Sequence, residues 1–437
     1  MSSERRFEQE LPALLDDLYV GAMPTYRNEI LQQAARTRQR PAWSFLERWL
    51  PMVDIARQPV FLPRLPWRTI GLGLAVLALL LALVLAFVAG GRRSLPTPFG
   101  PARDGLVAYA SGGDIYTADP VTGRTTAIVR GPETDLNPRW SRDGTRLAFE
   151  RRASVGATSG VLYVARGDGS DPIQVTPQAL VGIATYAFSP DGKEILISAS
   201  PGGTPGLFIA ATDGSGVSPL NLPGRVTDAA WRPPDGSEIL FMDSADDPKG
   251  TDSSMSVVNA QDGTVRTILK GADTTGRFRG HPAWSPDGSM ISFGEWCGCS
   301  SSGALDVQTH IIAADGTGDR TLPVPTGAVW QAPYNWSNDG TRLFAIRGYT
   351  GGGEQSRPVT VPVTGSGFGI EIPYPGGMGT PSTTAWEWAP DDRSILGTPA
   401  DTSGAIVDQV MLDPAAGTSR TLLWQSVSQP SWQRIAP

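Results

Sequence analysis

Histidine and cysteine are scarce in this 437-residue chain, with two of each, and that scarcity limits the chemistry it can do. Cys297 and Cys299 flank a single glycine, and the histidines are His281 and His310, so no set of the four has the spacing of a structural zinc site. The cysteine pair can close a small, strained disulfide ring outside the cytoplasm, or stay as two thiols. Asp243, Asp246, Asp247 and Asp252 make an acidic stretch that lacks the alternating ligands of an EF-hand loop. No metal or cofactor is expected. A G-x-S-x-G elbow followed by its acid and histidine is missing, as is a phosphate loop. The chain therefore reads as a binding protein and not as an enzyme.

A second set of residues suits binding. Arg277, Arg279, His281, Trp296, Trp330 and Tyr349 mix cations with aromatic rings, a composition that fits a peptide, glycan or protein partner. The balance of 36 basic against 43 acidic residues, net −7, argues against nucleic acid. Whether those six residues can act together depends on the elements that carry them.

Those elements repeat. An aromatic residue followed by a turn recurs at Trp140-Ser-Arg-Asp-Gly144, Phe188-Ser-Pro-Asp-Gly192, Trp231-Arg-Pro-Pro-Asp-Gly236, Trp284-Ser-Pro-Asp-Gly288, Trp336-Ser-Asn-Asp-Gly340 and Trp388-Ala-Pro-Asp-Asp392, with Trp432 as a seventh aromatic. The spacing of about 40–50 residues is that of a four-stranded propeller blade. Alternating apolar residues after each turn, as in Lys193-Glu-Ile-Leu-Ile-Ser198, mark strands. A second series of turns, at 120–123, 167–169, 213–216, 262–263, 315–318, 364–367 and 413–417, gives seven hairpins between third and fourth strands. The reading is an all-β, seven-bladed β-propeller over 105–437. Its first blade takes its inner strand from Ser431–Ile435 at the far end of the chain.

The regular register of Trp140, Phe188, Trp231, Trp284, Trp336, Trp388 and Trp432 predicts packing between blades, not a sugar-stacking surface. The Asp-Gly pairs are hairpin chemistry, because aspartate caps the turn and glycine accepts positive φ. In a four-stranded blade, the connections between second and third strands and between blades share one face. The long ones predicted there are 150–160, 243–254, 294–309, 347–357 and 397–405, with 270–282, 323–334 and 374–385 between blades. Loops on a rigid scaffold carry function, so this face, with the six residues named above, is the expected binding face.

The WSPDG motif followed by a strand resembles the repeats of the TolB-like propeller family, also called WD40-like or PD40 repeats, over about 330 residues. Arg142 replaces its proline, Pro234 is inserted, and Asp392 replaces its glycine. The resemblance implies the propeller fold. TolB proper is a soluble periplasmic protein with six blades, which a membrane span and a seventh blade set apart from this chain.

Before the propeller, Ile70–Val88 is nineteen apolar or glycine residues in a row, about 28 Å as a helix, which matches a bilayer core. Residues 1–69 read as short amphipathic α-helices and 89–104 as a linker. The ten arginines against eight acids in the first 69 residues favour that end inside, with the propeller periplasmic or at the cell surface. The stretch from Leu11 to Met52 resembles the N-terminal region of bacterial single-pass proteins, including membrane-bound anti-sigma factors. That resemblance implies a cytoplasmic regulator as partner for residues 1–69. The expected function is thus a membrane-anchored, extracytoplasmic binding or sensing module. The alternatives are an anti-sigma-like transmembrane signalling protein and, behind it, a propeller hydrolase or lyase.

Overall fold

The computed structural model describes residues 99–435 except 155, 158, 179, 223–225, 244–253, 272–276, 298–305, 350–354, 374–384 and 399–408. The expected helices, the apolar segment 70–88 and the linker up to residue 98 lie outside the described residues, as do most of the acidic stretch and Cys299. Among the described residues no helix is long and apolar enough to cross a membrane.

Seven four-stranded antiparallel sheets form the ring. Blade 1 joins Ser431–Ile435 to Arg103–Ser111, Asp114–Ala118 and Thr125–Val129, so the closure expected from sequence is present. Its register pairs Arg103 with Ile435 and Ala108 with Ser431, across a bulge between Asp104 and Val107. The inner strands of blades 2 to 7 are Thr134–Trp140, Thr185–Phe188, Val226–Trp231, Arg277–Trp284, Ala328–Trp336 and Ala385–Trp388. Each ends on its repeat aromatic.

The sheets are held together by seven clusters of buried apolar residues, each shared between neighbouring blades. The six repeat tryptophans are all buried and Phe188 is half-buried, as their register predicts. Two also reach across a blade boundary through the indole N–H: Trp231 donates to Ala187 O at 3.3 Å and Trp336 to Ala283 O at 3.1 Å. Arg232 and Arg342 lie over the rings of Trp284 and Trp388 in the next blade, at 5.1 and 4.8 Å. The tryptophan thus stitches blades by area, hydrogen bond and cation–π contact together.

The turns behave as turn chemistry requires. In the motif of blade 2, Ser141 Oγ donates to Asp143 Oδ1 at 2.6 Å, and Thr145 N–H donates to the same oxygen at 3.1 Å. The arrangement recurs at Ser189/Asp191, Ser285/Asp287 and Ser337/Asp339. The position after the aspartate has positive φ, 70° at Gly144 and 61° at Asp392, and aspartate is one of the few side chains that tolerate it.

Replacing Trp432 with alanine opens a cavity in the cluster that joins blades 7 and 1. The expected cost is about 3–5 kcal/mol, read as a lower denaturation midpoint. Deleting residues 428–437 should lower the melting temperature further, because it also exposes the edge at Arg103–Ala108.

Candidate functional site

The inner strands are built to present side chains inside the ring. Four of them carry bulges, between Leu136 and Arg139, Thr227 and Ala230, Gly280 and Ala283, and Pro333 and Asn335. A bulge redirects the side chain it contains. Asn137, Asp228 and His281, each three residues before the repeat aromatic, have φ of 57°, 48° and 53°. These are types that enter the left-handed region at low cost, so the sequence accommodates the bulge.

The bulges also correct part of the sequence reading. All six candidates fall within strands, not in the connections: Arg277, Arg279 and His281 in the inner strand of blade 5, Trp296 in its second strand, Trp330 in the inner strand of blade 6 and Tyr349 in its second strand. Extra residues in a bulged strand extend it toward the connections and absorb what looks like loop. The structure unites two of the six, since the exposed His281 ring lies 6.4 Å from that of Trp296 and stacks on Tyr334 at 6.1 Å. Arg279 donates to Glu295 Oε2 at 3.0 Å and to Lys270 O at 2.7 Å. Tyr349 belongs to a separate network in which Glu371 accepts from its hydroxyl, from Arg347 at 3.0 Å and from Arg357 at 3.1 Å. Trp330 is buried over Gly348, whose missing side chain makes room for the indole, and it is core. The Arg277 and Cys297 side chains lie outside what is described. The other histidine, His310, is buried on Phe293 with Nδ1 2.9 Å from Asp319 Oδ1.

What sequence reading missed is the interior of the ring. The residues immediately before the aromatics are Ser431, Arg139, Ala187, Ala230, Ala283, Asn335 and Glu387 for blades 1 to 7. Two positions after each aromatic stand Arg434, Arg142, Pro190, Pro233, Pro286, Asn338 and Pro390. Blades 3, 4 and 5 carry only alanine and proline at these two levels. Blades 6, 7, 1 and 2, which are contiguous around the ring, carry every charge.

At the first level Arg139 donates to Pro430 O at 3.2 Å and to the Gln429 carboxamide of blade 1. Glu387 accepts from Trp432 N–H, its two oxygens at 3.1 and 3.2 Å. It keeps some accessible surface although protein surrounds it, as a group lining a narrow lumen does. Burial raises its carboxyl to a pKa of about 7, with Arg139, the Trp432 N–H, Arg142 and Arg434 pulling the other way. Burial likewise lowers the Arg139 guanidinium.

The second level closes the lumen. Arg434 of blade 1 donates to Asn338 Oδ1 of blade 6 at 2.6 Å, and Arg142 of blade 2 approaches the same oxygen at 3.5 Å. Blades 2 and 6 are not neighbours, so these contacts cross the ring. Asn338 is fixed by Asp392, whose Oδ1 accepts its N–H at 2.7 Å and its Nδ2 at 2.8 Å. The chain entering blade 1 seals the floor: Phe99 is buried 5.0 Å beneath the Arg142 guanidinium, Gly100 O accepts from Arg434, and Ala102 N–H donates to Pro390 O at 2.7 Å. Burial first, and Arg434 second, lower Arg142 to a pKa of about 9.

A closed ring of seven such sheets defines a β-propeller, and residues 105–340 match the TolB β-propeller domain, PD40. The chain belongs to that family. The "uncharacterized peptidase YuxL" of Bacillus subtilis (strain 168) is 24% identical over 182 residues, 41% of this chain and 24% of that one, so the match spans about a quarter of that relative's length. Among solved structures, the oligogalacturonate lyase of Vibrio parahaemolyticus has a TM-score of 0.52 at 13% identity, over 74% of this chain and 86% of that one. A prolyl endopeptidase has a TM-score of 0.52 at 12% identity, over 80% and 54%. At such identities the likeness is one of fold.

The lumen carboxyl gives stability a pH dependence of definite sign. A carboxyl raised from 4.5 to about 7 on folding contributes stability that is whole below pH 4.5 and is lost as pH rises through 7. Glu387→Gln keeps an acceptor for Trp432 N–H without titrating. Its melting temperature should match the parent's near pH 5 and exceed it at pH 8, by up to roughly 3 kcal/mol in stability. Parallel melting curves from pH 4.5 to 8 would remove the raised carboxyl.

Proposed function

We propose that the propeller is a binding module that takes its ligand through the end of the lumen opposite the floor, where His281 and Trp296 stand. The observation that carries this reading is the exposed His281, set at positive φ in a bulged inner strand and stacked on Tyr334. The bulge turns this side chain out of the strand's ordinary alternation. Accessible aromatic rings suit a peptide or glycan. In this reading the apolar segment 70–88 tethers the propeller to a membrane with the ring outside the cytoplasm, and residues 1–69 face a cytoplasmic regulator.

The test is an array of peptides and oligosaccharides probed with the full-length chain. His281→Asn tolerates the same φ, so it removes the ring and keeps the bulge. The expected result is a loss of affinity of tenfold or more for whatever the parent captures, with an unchanged melting temperature. Undiminished affinity would move the site elsewhere. Turnover of an array member, in keeping with the peptidase and lyase names among the similar proteins, would replace binding with catalysis. Protease shaving of intact cells tests the orientation, with cleavage of the propeller expected from outside.

A further inference from the structure

The lumen is divided by chemistry. At the same two positions blades 3, 4 and 5 hold Ala187, Ala230, Ala283, Pro190, Pro233 and Pro286; the three alanines keep accessible surface, while Pro190 and Pro286 pack toward the turn glycines Gly236 and Gly340 of the next blade. Opposite them stand Arg139, Arg142 and Arg434 against one carboxyl, Glu387, at this level and Asp392 below it. The Asp392 oxygens already accept from Asn338 and from Asp339 N–H. Arg139 donates to carbonyl and carboxamide oxygens, which are neutral.

Arg142 is the least satisfied member. Phe99 covers one face of its guanidinium, its Nε is buried without a hydrogen-bond partner, and Nη2 has only the 3.5 Å approach to Asn338 Oδ1. That oxygen is already taken by Arg434 at 2.6 Å. The Nε–Nη2 edge is the fork that receives a carboxylate through two parallel hydrogen bonds. A buried donor left unmet favours whatever supplies its acceptor.

We propose that the closed end of the lumen binds a small organic carboxylate, its two oxygens on the Arg142 fork beside Arg139 and its apolar body along the accessible alanines of blades 3 to 5. Seating the anion needs a small movement of the Arg142 side chain away from Phe99, which brings Nε to the lumen. The apolar wall selects against inorganic anions, because they leave it wet. The seat deepens the binding reading above, since its ligand enters by the same route.

The internal repeat supplies the control variant. Four of the other motifs have proline at the Arg142 position, so Arg142→Pro restores this chain's own consensus and should fold. The probes are acetate, butyrate and hexanoate, with chloride and sulfate at matched ionic strength. Ligands of the folded state raise its melting temperature saturably. For the full-length parent, the expected shift grows from acetate to hexanoate, and calorimetric affinity for hexanoate falls at least tenfold in Arg142→Pro. Equal shifts in parent and variant, no saturable shift, or sulfate acting as strongly as hexanoate would overturn the seat. If carboxylates fail while an array ligand still binds in a manner sensitive to His281→Asn, the seat falls and the reading of the opposite end stands.

Discussion

The pairing of Ser431–Ile435 with Arg103–Ala108 governs the ring, because it joins the two ends of the propeller into one blade. Antiparallel closure leaves no open sheet edge between the last blade and the first. The same strand then carries three further contacts: Trp432 fills the cluster between blades 7 and 1, its N–H is accepted by Glu387, and Arg434 holds both Asn338 and Gly100. A five-residue strand thus closes the circumference and builds the floor. Stability of the fold and chemistry of the lumen are coupled there, and a change in one reaches the other through main-chain geometry.

Much of the polarity inside the ring answers a structural need. An inner strand has a partner strand on one side only, so its lumen-side N–H and C=O groups must find other partners. Ser428 Oγ accepts Asn137 N–H at 2.8 Å, Ser431 Oγ accepts Trp140 N–H at 3.2 Å, and Arg139 donates to Pro430 O. Those contacts need hydroxyls, amides and donors. They do not need three guanidiniums. The excess of positive charge over what the backbone asks for separates a lumen that is only satisfied from one prepared for an anion.

The sequence made the fold legible because each repeat signal is local. Trp284-Ser-Pro-Asp-Gly288 specifies its own hairpin and its own core residue whatever lies elsewhere, and six such motifs, the aromatic Trp432 and the second series of seven hairpins fix the blade count. The candidate site was less legible for two physical reasons. Bulges at Gly280/Ala283 and Pro333/Asn335 lengthened strands into stretches rich in turn-forming and polar residues, so Arg279, His281 and Trp330 read as loop. Trp330 was misplaced further because its burial depends on Gly348, on a different strand of the same blade, and no local pattern reports that gap. The lumen charges were hidden by distance, since Arg142 and Asn338 lie 196 residues apart and meet only once the ring has closed.

A signal for them was nevertheless present. Repeats within one chain act as each other's controls: where a position needs only to complete a turn, it drifts toward the residue that does so most cheaply, here alanine before the aromatic and proline after it. Blades 3 to 5 follow that rule at both positions. Arg139, Arg142, Asn335, Asn338, Glu387, Ser431 and Arg434 break it, and the fold brings all seven to four consecutive blades. Departures scattered by chance among seven blades would have no reason to fall on four consecutive ones, nor to leave the same two positions of blades 3 to 5 wholly apolar. Residues that abandon an economical local solution in concert are held by something nonlocal. At these two positions the polar and charged residues of four blades face the alanines and prolines of three, which is an arrangement an amphipathic ligand requires and ring closure alone does not.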